Sequence, residues 1–116
     1  MRKIIVAGGR DFTDYEFMRE CMERVVKDDD VEIVSGTARG ADSYGEMFAE
    51  EYELELIKFP ADWKKYNRAA GPIRNEAMAE YADELCAFWD GRSSGTKHMI
   101  KYARKIGLEV RIFHYE

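Results

Sequence analysis

Five short apolar runs, separated by stretches of helical spacing, leave this chain few architectures. The run from Lys3 to Ala7 has no polar alternation, the mark of a strand covered on both faces. Val31 to Val34, Leu54 to Phe59, Leu85 to Trp89 and Leu108 to Phe113 read as four further short strands. Thr13-Asp14-Tyr15-Glu16 has the spacing of a capping box, and Met18, Met22, Val25 and Val26 follow at helical intervals. Ala41, Tyr44, Met47, Phe48 and Tyr52 mark a second helix. Gly71-Pro72 opens a third, with proline at its first position and Ile73, Ala77, Met78 and Tyr81 inward, after a polar loop from Ala61 to Ala70. Gly95 to Ile106 is a fourth, capped by Gly107. Strand and helix in strict alternation predict a three-layer α/β/α, Rossmann-like domain around a five-stranded parallel sheet. The expected strand order is 3-2-1-4-5, with a flavodoxin-like 2-1-3-4-5 as the alternative.

With 116 residues, and no linker, repeat or low-complexity segment, the chain reads as one domain over residues 1–116. No apolar run approaches the ~20 residues of a membrane span. The segment Met1 to Val6 lacks the length and cleavage site of a signal peptide, so a cytoplasmic location without membrane contact is expected. Cys21 and Cys86 sit inside apolar patterns and read as buried free thiols.

In a sheet of this kind ligands sit outside the carboxyl ends of the strands. The unusual residues of this sequence fall on that edge: Gly8-Gly9-Arg10-Asp11-Phe12, then Ser35-Gly36-Thr37-Ala38-Arg39-Gly40-Ala41-Asp42, and Asp90-Gly91-Arg92-Ser93-Ser94-Gly95-Thr96. Glycine also serves ordinary tight turns, so one such loop says little; three on one edge point to close approach of backbone to a ligand. Arg10, Arg39, Arg74, Arg92 and Lys97 lie at or near helix N-termini, where the dipole favours the opposite sign. With Lys64, Lys65 and Arg68 they gather eight of the 18 Lys and Arg residues on one rim, although the chain carries a net charge of -5. Helix N-termini and guanidinium groups converging on a crevice suit phosphate. The alternative is pairing of these arginines with Asp11, Asp42, Asp62 and Asp90.

Neither G-x-x-x-x-G-K-[ST] nor a complete G-x-G-x-x-G is present, which removes Walker-type ATPases and ordinary dehydrogenases. Trp63 and Trp89 border the expected crevice and are candidates for stacking on a base, Trp63 the better for its neighbours Lys64, Lys65 and Tyr66. His98 and His114 lack metal-ligand spacing, so no zinc site is expected; Asp11, Asp62 and Asp90 suit Mg²⁺ beside a phosphate, or equally an Asx turn. No Ser-His-Asp or Cys-His arrangement can be built.

The three loops, together with Ala70-Gly71-Pro72-Ile73-Arg74-Asn75-Glu76-Ala77-Met78 and with Phe88-Trp89 ahead of the last loop, resemble the YspA/YpsA-related branch of the SLOG superfamily over nearly the whole chain. That superfamily also holds the cytokinin-activating LOG enzymes and the Smf/DprA DNA-processing proteins. The resemblance implies a Rossmann-like fold binding nucleotides or their derivatives, and an assembly of dimers or larger. LOG enzymes carry R-K-x-x-M and G-G-x-G-T-x-x-E. Arg74-Asn75-Glu76-Ala77-Met78 is similar to the first, with Asn75 for lysine; Gly91 to Met99 is similar to the second, with Met99 in place of the glutamate. A thioether can neither take a proton nor stabilise an oxocarbenium ion, which counts against phosphoribohydrolase chemistry. Arg74-Asn75 also resembles an arginine-asparagine pair of DprA-like proteins, which bind single-stranded DNA.

The expected function is therefore recognition of a phosphate-bearing nucleotide or nucleotide derivative, as a sensor, regulator or enzyme. Arg10, Arg39 and Arg74 would supply charge; Gly8, Gly9, Gly36, Gly91 and Gly95 close approach; and Ser35, Thr37, Ser94 and Thr96 hydroxyl donors. Asp11, Gly40, Asp42, Asn75 and Asp90 complete the expected site. Single-stranded nucleic acid is the second choice of partner. A homodimer is expected from an exposed patch among Phe17, Phe48, Tyr52, Tyr81 and Tyr102 on the helices.

Overall fold

The computed structural model describes Met1–Glu116. Strand β1 (Arg2–Gly8) is followed by α1 (Tyr15–Val26), β2 (Val31–Ser35), α2 (Ala41–Glu51), β3 (Glu55–Lys58), α3 (Trp63–Tyr66), a 3₁₀ turn (Asn67–Ala69), α4 (Ala70–Tyr81), β4 (Glu84–Trp89), α5 (Ser94–Lys105) and β5 (Glu109–His114). The sheet is parallel throughout in the order β3-β2-β1-β4-β5. β1 pairs with β2 and β4, and β3 with β2, so the flavodoxin-like order does not occur.

The absence of polar alternation in β1 has a direct structural cause. Ile4 and Val6 face one core with Met18, Met22, Ile33, Phe48 and Phe88, under α1 and α2. Ile5 and Ala7 face the other with Val34, Met78, Leu85, Met99 and Ile100, under α4 and α5. Each strand residue alternates sides, and both sides are apolar because both are covered. Burying a Leu, Ile or Phe side chain contributes roughly 1.5–3 kcal/mol, so these two layers dominate the stability. At the amino edge of the sheet, Glu84 accepts from Arg2 Nε at 2.7 Å and from Arg111 Nη1 at 2.8 Å, tying three strands by charge. Cys21 and Cys86 are free and buried, and burial pushes the Cys86 thiol up to about 12.

Several local expectations are corrected. Asp14, not Thr13, caps α1, its carboxylate accepting from the Phe17 N–H at 3.1 Å. Pro72 is the third residue of α4, because the 3₁₀ turn runs straight into the helix and starts it at Ala70; proline, with no N–H of its own to satisfy, is accommodated in this first turn. Ala61 to Ala70 is not a plain loop: Asp62 caps the four-residue α3 by accepting from Lys65 N–H. The expected aromatic patch does not form. Phe48 is fully buried, and Tyr52, Tyr81 and Tyr102 lie half-buried with their hydroxyls donating to Glu23, Glu32 and Glu80. The exposed large apolar residues are instead Met1, Met47, Trp63, Tyr66, Ile73 and Ile106.

Candidate functional site

A cleft of about 710 Å³ opens at the carboxyl edge of the sheet, between the β1–α1 loop, the start of α4 and the start of α5. β1 and its neighbours diverge here, because the chain leaves β1 for α1 on one face and reaches β4 from α4 on the other. Of the residues expected from sequence, Gly8, Gly9, Arg10, Asp11, Asp42, Trp63, Arg74, Asn75, Asp90, Ser94, Gly95 and Thr96 line it. Ser35, Gly36, Thr37, Arg39, Gly40, Trp89 and Gly91 do not.

Those outside the cleft support its shape. The Ser35 hydroxyl is fully buried, donates to Glu46 Oε2 at 2.7 Å and accepts from the Thr37 N–H, so it is not free for a phosphate. A side chain at Gly36 would meet Arg74 Nη1 at 2.8 Å and Asp42 Oδ2 at 2.9 Å; its lack of one leaves room for both. Gly40 has φ +73°, and a Cβ there would lie 2.2 Å from the Gly9 carbonyl, which accepts the Ala41 N–H at 3.1 Å. The first two loops are thus locked together by backbone contact. Trp89 is core at its strand end, its indole N–H donating to the Ser93 carbonyl at 3.1 Å.

Charge in the cleft is unevenly satisfied. No carboxylate lies within 4.0 Å of a charged nitrogen of Arg10, Arg39, Lys64, Lys65, Arg68, Arg74, Arg92 or Lys97. The carboxylates that were to pair with them are committed elsewhere. Asp11 accepts from Tyr115 at 2.6 Å, Asp62 caps α3, and Asp90 accepts the N–H groups of Arg92 and Ser93 in an Asx turn. Asp42 accepts from the Ala38 N–H at 3.2 Å. No group of three or more His, Cys, Asp or Glu residues is arranged to hold a metal ion, and of the three carboxylates offered for Mg²⁺ beside a phosphate, Asp11 and Asp90 line the cleft while Asp62 does not.

Arg74 is the cation most withdrawn from water. Its guanidinium donates to the Gly36 carbonyl and, through Nε, to Asn75 Oδ1 at 3.1 Å, both neutral acceptors. Burial lowers its proton affinity. Asp42, 5% exposed, is the carboxylate whose charge it feels, and burial pushes that carboxyl up to about 6 despite Arg74 and the Ala38 N–H. Beside Arg74 the N-terminus of α5 opens on the cleft, capped by Ser93, with Ser94, Gly95 and Thr96 in the wall. Met99, 1% exposed, closes the floor where LOG enzymes carry glutamate. Ser93 and His98, which were not among the expected site residues, also line the cleft; the sequence singled out His98 only for lacking metal-ligand spacing with His114.

The fold and site define a Rossmann-like domain of the SLOG type, with a cleft at the carboxyl edge of its sheet lined by Arg10, Arg68 and Arg74 as well as Asp11, Asp42 and Asp90. The sequence profile of the YspA, cpYpsA-related SLOG family matches residues 2–66, more than half of the chain, and this protein belongs to that family. It is 30% identical to the Gene 61 protein of Mycobacterium phage D29, over 95% of this chain and 94% of that protein. Its fold matches DNA processing protein A (DprA) from Streptococcus pneumoniae with a TM-score of 0.81 at 18% identity; all of this chain spans 51% of that one, about half its length. DNA processing protein A from Helicobacter pylori, described for its single-stranded DNA binding mode, gives 0.73 at 16% identity over 99% of this chain and 66% of that one. TM1055, a structural genomics target, gives 0.70 at 18% identity over 95% of this chain and 72% of that one. No helix is long and apolar enough to cross a membrane.

Proposed function

We propose that the cleft binds a phosphate-bearing nucleotide or nucleotide derivative, with phosphate between Arg74 and the N-terminus of α5 and Trp63 against the base. The observation that carries this reading is Arg74: a partly desolvated guanidinium on the cleft whose own hydrogen bonds go to neutral acceptors and which has no carboxylate within 4.0 Å, Asp42 acting on it only from farther away. Removing a charge from water is costly unless an opposite charge compensates, and a bound phosphate would do so. Arg10 and Arg68 at the mouth add unpaired charge, and the α5 N–H groups add donors. A thermal-shift series with nucleotides, dinucleotides and ADP-ribose tests it. Ligand at 100 times its Kd adds about 2.7 kcal/mol to the unfolding free energy. A flat response to every phosphate compound overturns the reading.

Single-stranded nucleic acid is the second reading, favoured by Trp63, 49% exposed, beside Lys64, Lys65 and Arg68 on the cleft rim. The fold likeness to the Helicobacter DNA processing protein is consistent with it. Binding along a strand weakens steeply with salt, whereas a mononucleotide pocket responds less, so an oligonucleotide titration at two salt concentrations separates the two. Phosphoribohydrolase chemistry is not favoured, because Met99 supplies no carboxylate. A homodimer through helical faces accompanies the reading, with Tyr66 and Ile73 as its exposed apolar residues; a light-scattering mass of 13.5 kDa at micromolar concentration overturns that assembly.

A further inference from the structure

We infer that His98 is a positioning residue for Arg74, acting through Asn75; the inference rests on the nucleotide reading of the cleft. Two helices, α4 and α5, meet at Asn75, which is 8% exposed. Its Oδ1 faces Arg74 Nε at 3.1 Å, and arginine can only donate. Its Nδ2 faces the Gly95 carbonyl at 3.3 Å, which can only accept. These two contacts independently fix which end of the amide is oxygen.

The amide nitrogen also lies 3.3 Å from His98 Nδ1. An amide NH₂ donates, so Nδ1 must be the bare, accepting nitrogen, and the neutral ring carries its proton on Nε2. Glu76 Oε2 stands 3.6 Å from Nε2, beyond hydrogen-bond distance but near enough for its charge to favour a proton on that nitrogen. The ring is further confined by Tyr102, stacked at 6.3 Å between centroids. The chain of constraint therefore runs from Glu76 and Tyr102 to His98, from His98 to the Asn75 amide, and from Asn75 to the guanidinium. His98 lines the cleft, but its Nδ1 is spent on Asn75; its contribution is to hold Arg74 in the aim that a phosphate would use. Without the acceptor at Nδ1, one Asn75 N–H is left short of a partner, and the amide is held only by its contacts to Arg74 and Gly95, which loosens its grip on the guanidinium.

The test pairs a ligand-independent readout with calorimetry on the full chain, using inorganic pyrophosphate as probe. Long-range ¹H–¹⁵N spectra, assigned with His114→Gln since the chain has only two histidines, are expected to show His98 bare at Nδ1 and protonated at Nε2 near pH 7.5. A proton found on Nδ1 in the neutral ring overturns the inference. His98→Ala is expected to weaken pyrophosphate binding about tenfold, the scale of one lost hydrogen bond in a buried network. His98→Asn, which places an oxygen near the Nδ1 position, is expected to stay within about twofold of wild type, whereas His98→Gln, which reaches the Nε2 position, is not. Should His98→Ala fail to fold, the Asn and Gln variants still give the contrast. Wild-type binding left unchanged by all three variants overturns this inference alone; no pyrophosphate binding by the wild-type protein overturns the phosphate reading of the cleft, and the inference with it.

Discussion

Replacing Asp42 by asparagine tests how much stability the cleft gives up to keep a buried carboxylate. Asp42 is 5% exposed at the start of α2, and desolvation raises its carboxyl from the ordinary 3.8 to about 6. The folded state thus holds the proton more tightly than the unfolded chain. The associated stability is fully present below about pH 3.8 and is lost as pH rises through about 6. At about 1.36 kcal/mol per pH unit the whole effect is on the order of 3 kcal/mol. Asp42→Asn removes the charge at every pH but offers one oxygen where the carboxylate offered two, at a cost of about 1 kcal/mol for the hydrogen bond to Ala38. The variant is therefore expected to be more stable than wild type by about 2 kcal/mol at pH 7.5, with the difference shrinking or reversing by pH 4. Urea denaturation of both proteins across that range measures the difference directly, since the other carboxylates titrate alike in both. A variant less stable than wild type at pH 7.5, or a gap that ignores pH, refutes the argument.

Arg74→Lys keeps a charge but loses the Nε donor to Asn75 and the planar fork, so pyrophosphate affinity should fall about tenfold by calorimetry. Gly40→Ala places a methyl against the Gly9 carbonyl at a left-handed φ; a loss of more than about 2 kcal/mol is expected in denaturant unfolding. Glu84 is held below the usual carboxylate range by Arg2 and then Arg111, so its stabilisation is present above the ordinary glutamate range and lost as pH falls through its lowered value. Glu84→Ala should cost about 3 kcal/mol at pH 7, and its gap to wild type should narrow in acid. Nucleotide binding should quench tryptophan fluorescence in wild type and not in Trp63→Phe, because Trp89 is tied to Ser93 behind the cleft wall; quenching that survives the substitution places the ligand elsewhere.

The layers were legible because burial on both faces removes polar alternation from a strand, and Ile4-Ile5-Val6-Ala7 shows this without reference to any partner. The strand-end loops were legible for a similar reason: glycines and misplaced cations break local rules that only a ligand or a close backbone contact restores. What was not legible depended on partners that only the folded chain brings together. Ser35 looks like a phosphate donor until Glu46, on the next helix, takes its hydroxyl. Trp89 looks like a stacking platform until the turn of the β4–α5 loop brings the Ser93 carbonyl under its indole. α3 escaped because no residue of it is buried, so its four residues carry no apolar period, only the Asp62 cap. His98 escaped because its role runs through an asparagine on another helix.

The chain's acidic total and the unpaired cations of the cleft rim are compatible because much of the acid lies on other surfaces, although Asp11, Asp42 and Asp90 share the cleft with the arginines. Exposed Glu50 and Glu51 and half-buried Glu46 lie on α2, and Glu16, Glu20 and Glu23 are exposed on α1, both on the face opposite α4 and α5. At physiological ionic strength charges are screened beyond about 8 Å, whereas the molecule extends 38 × 31 × 25 Å. A mononucleotide in the cleft therefore responds to Arg74, Arg10 and Arg68 and scarcely to the acidic helices. A long polyanion must leave the cleft, and Lys64, Lys65 and Arg68 beside the exposed Trp63 offer it one basic path. Net charge consequently weighs little against the first reading, and for the second it confines the strand to the rim where the cations gather.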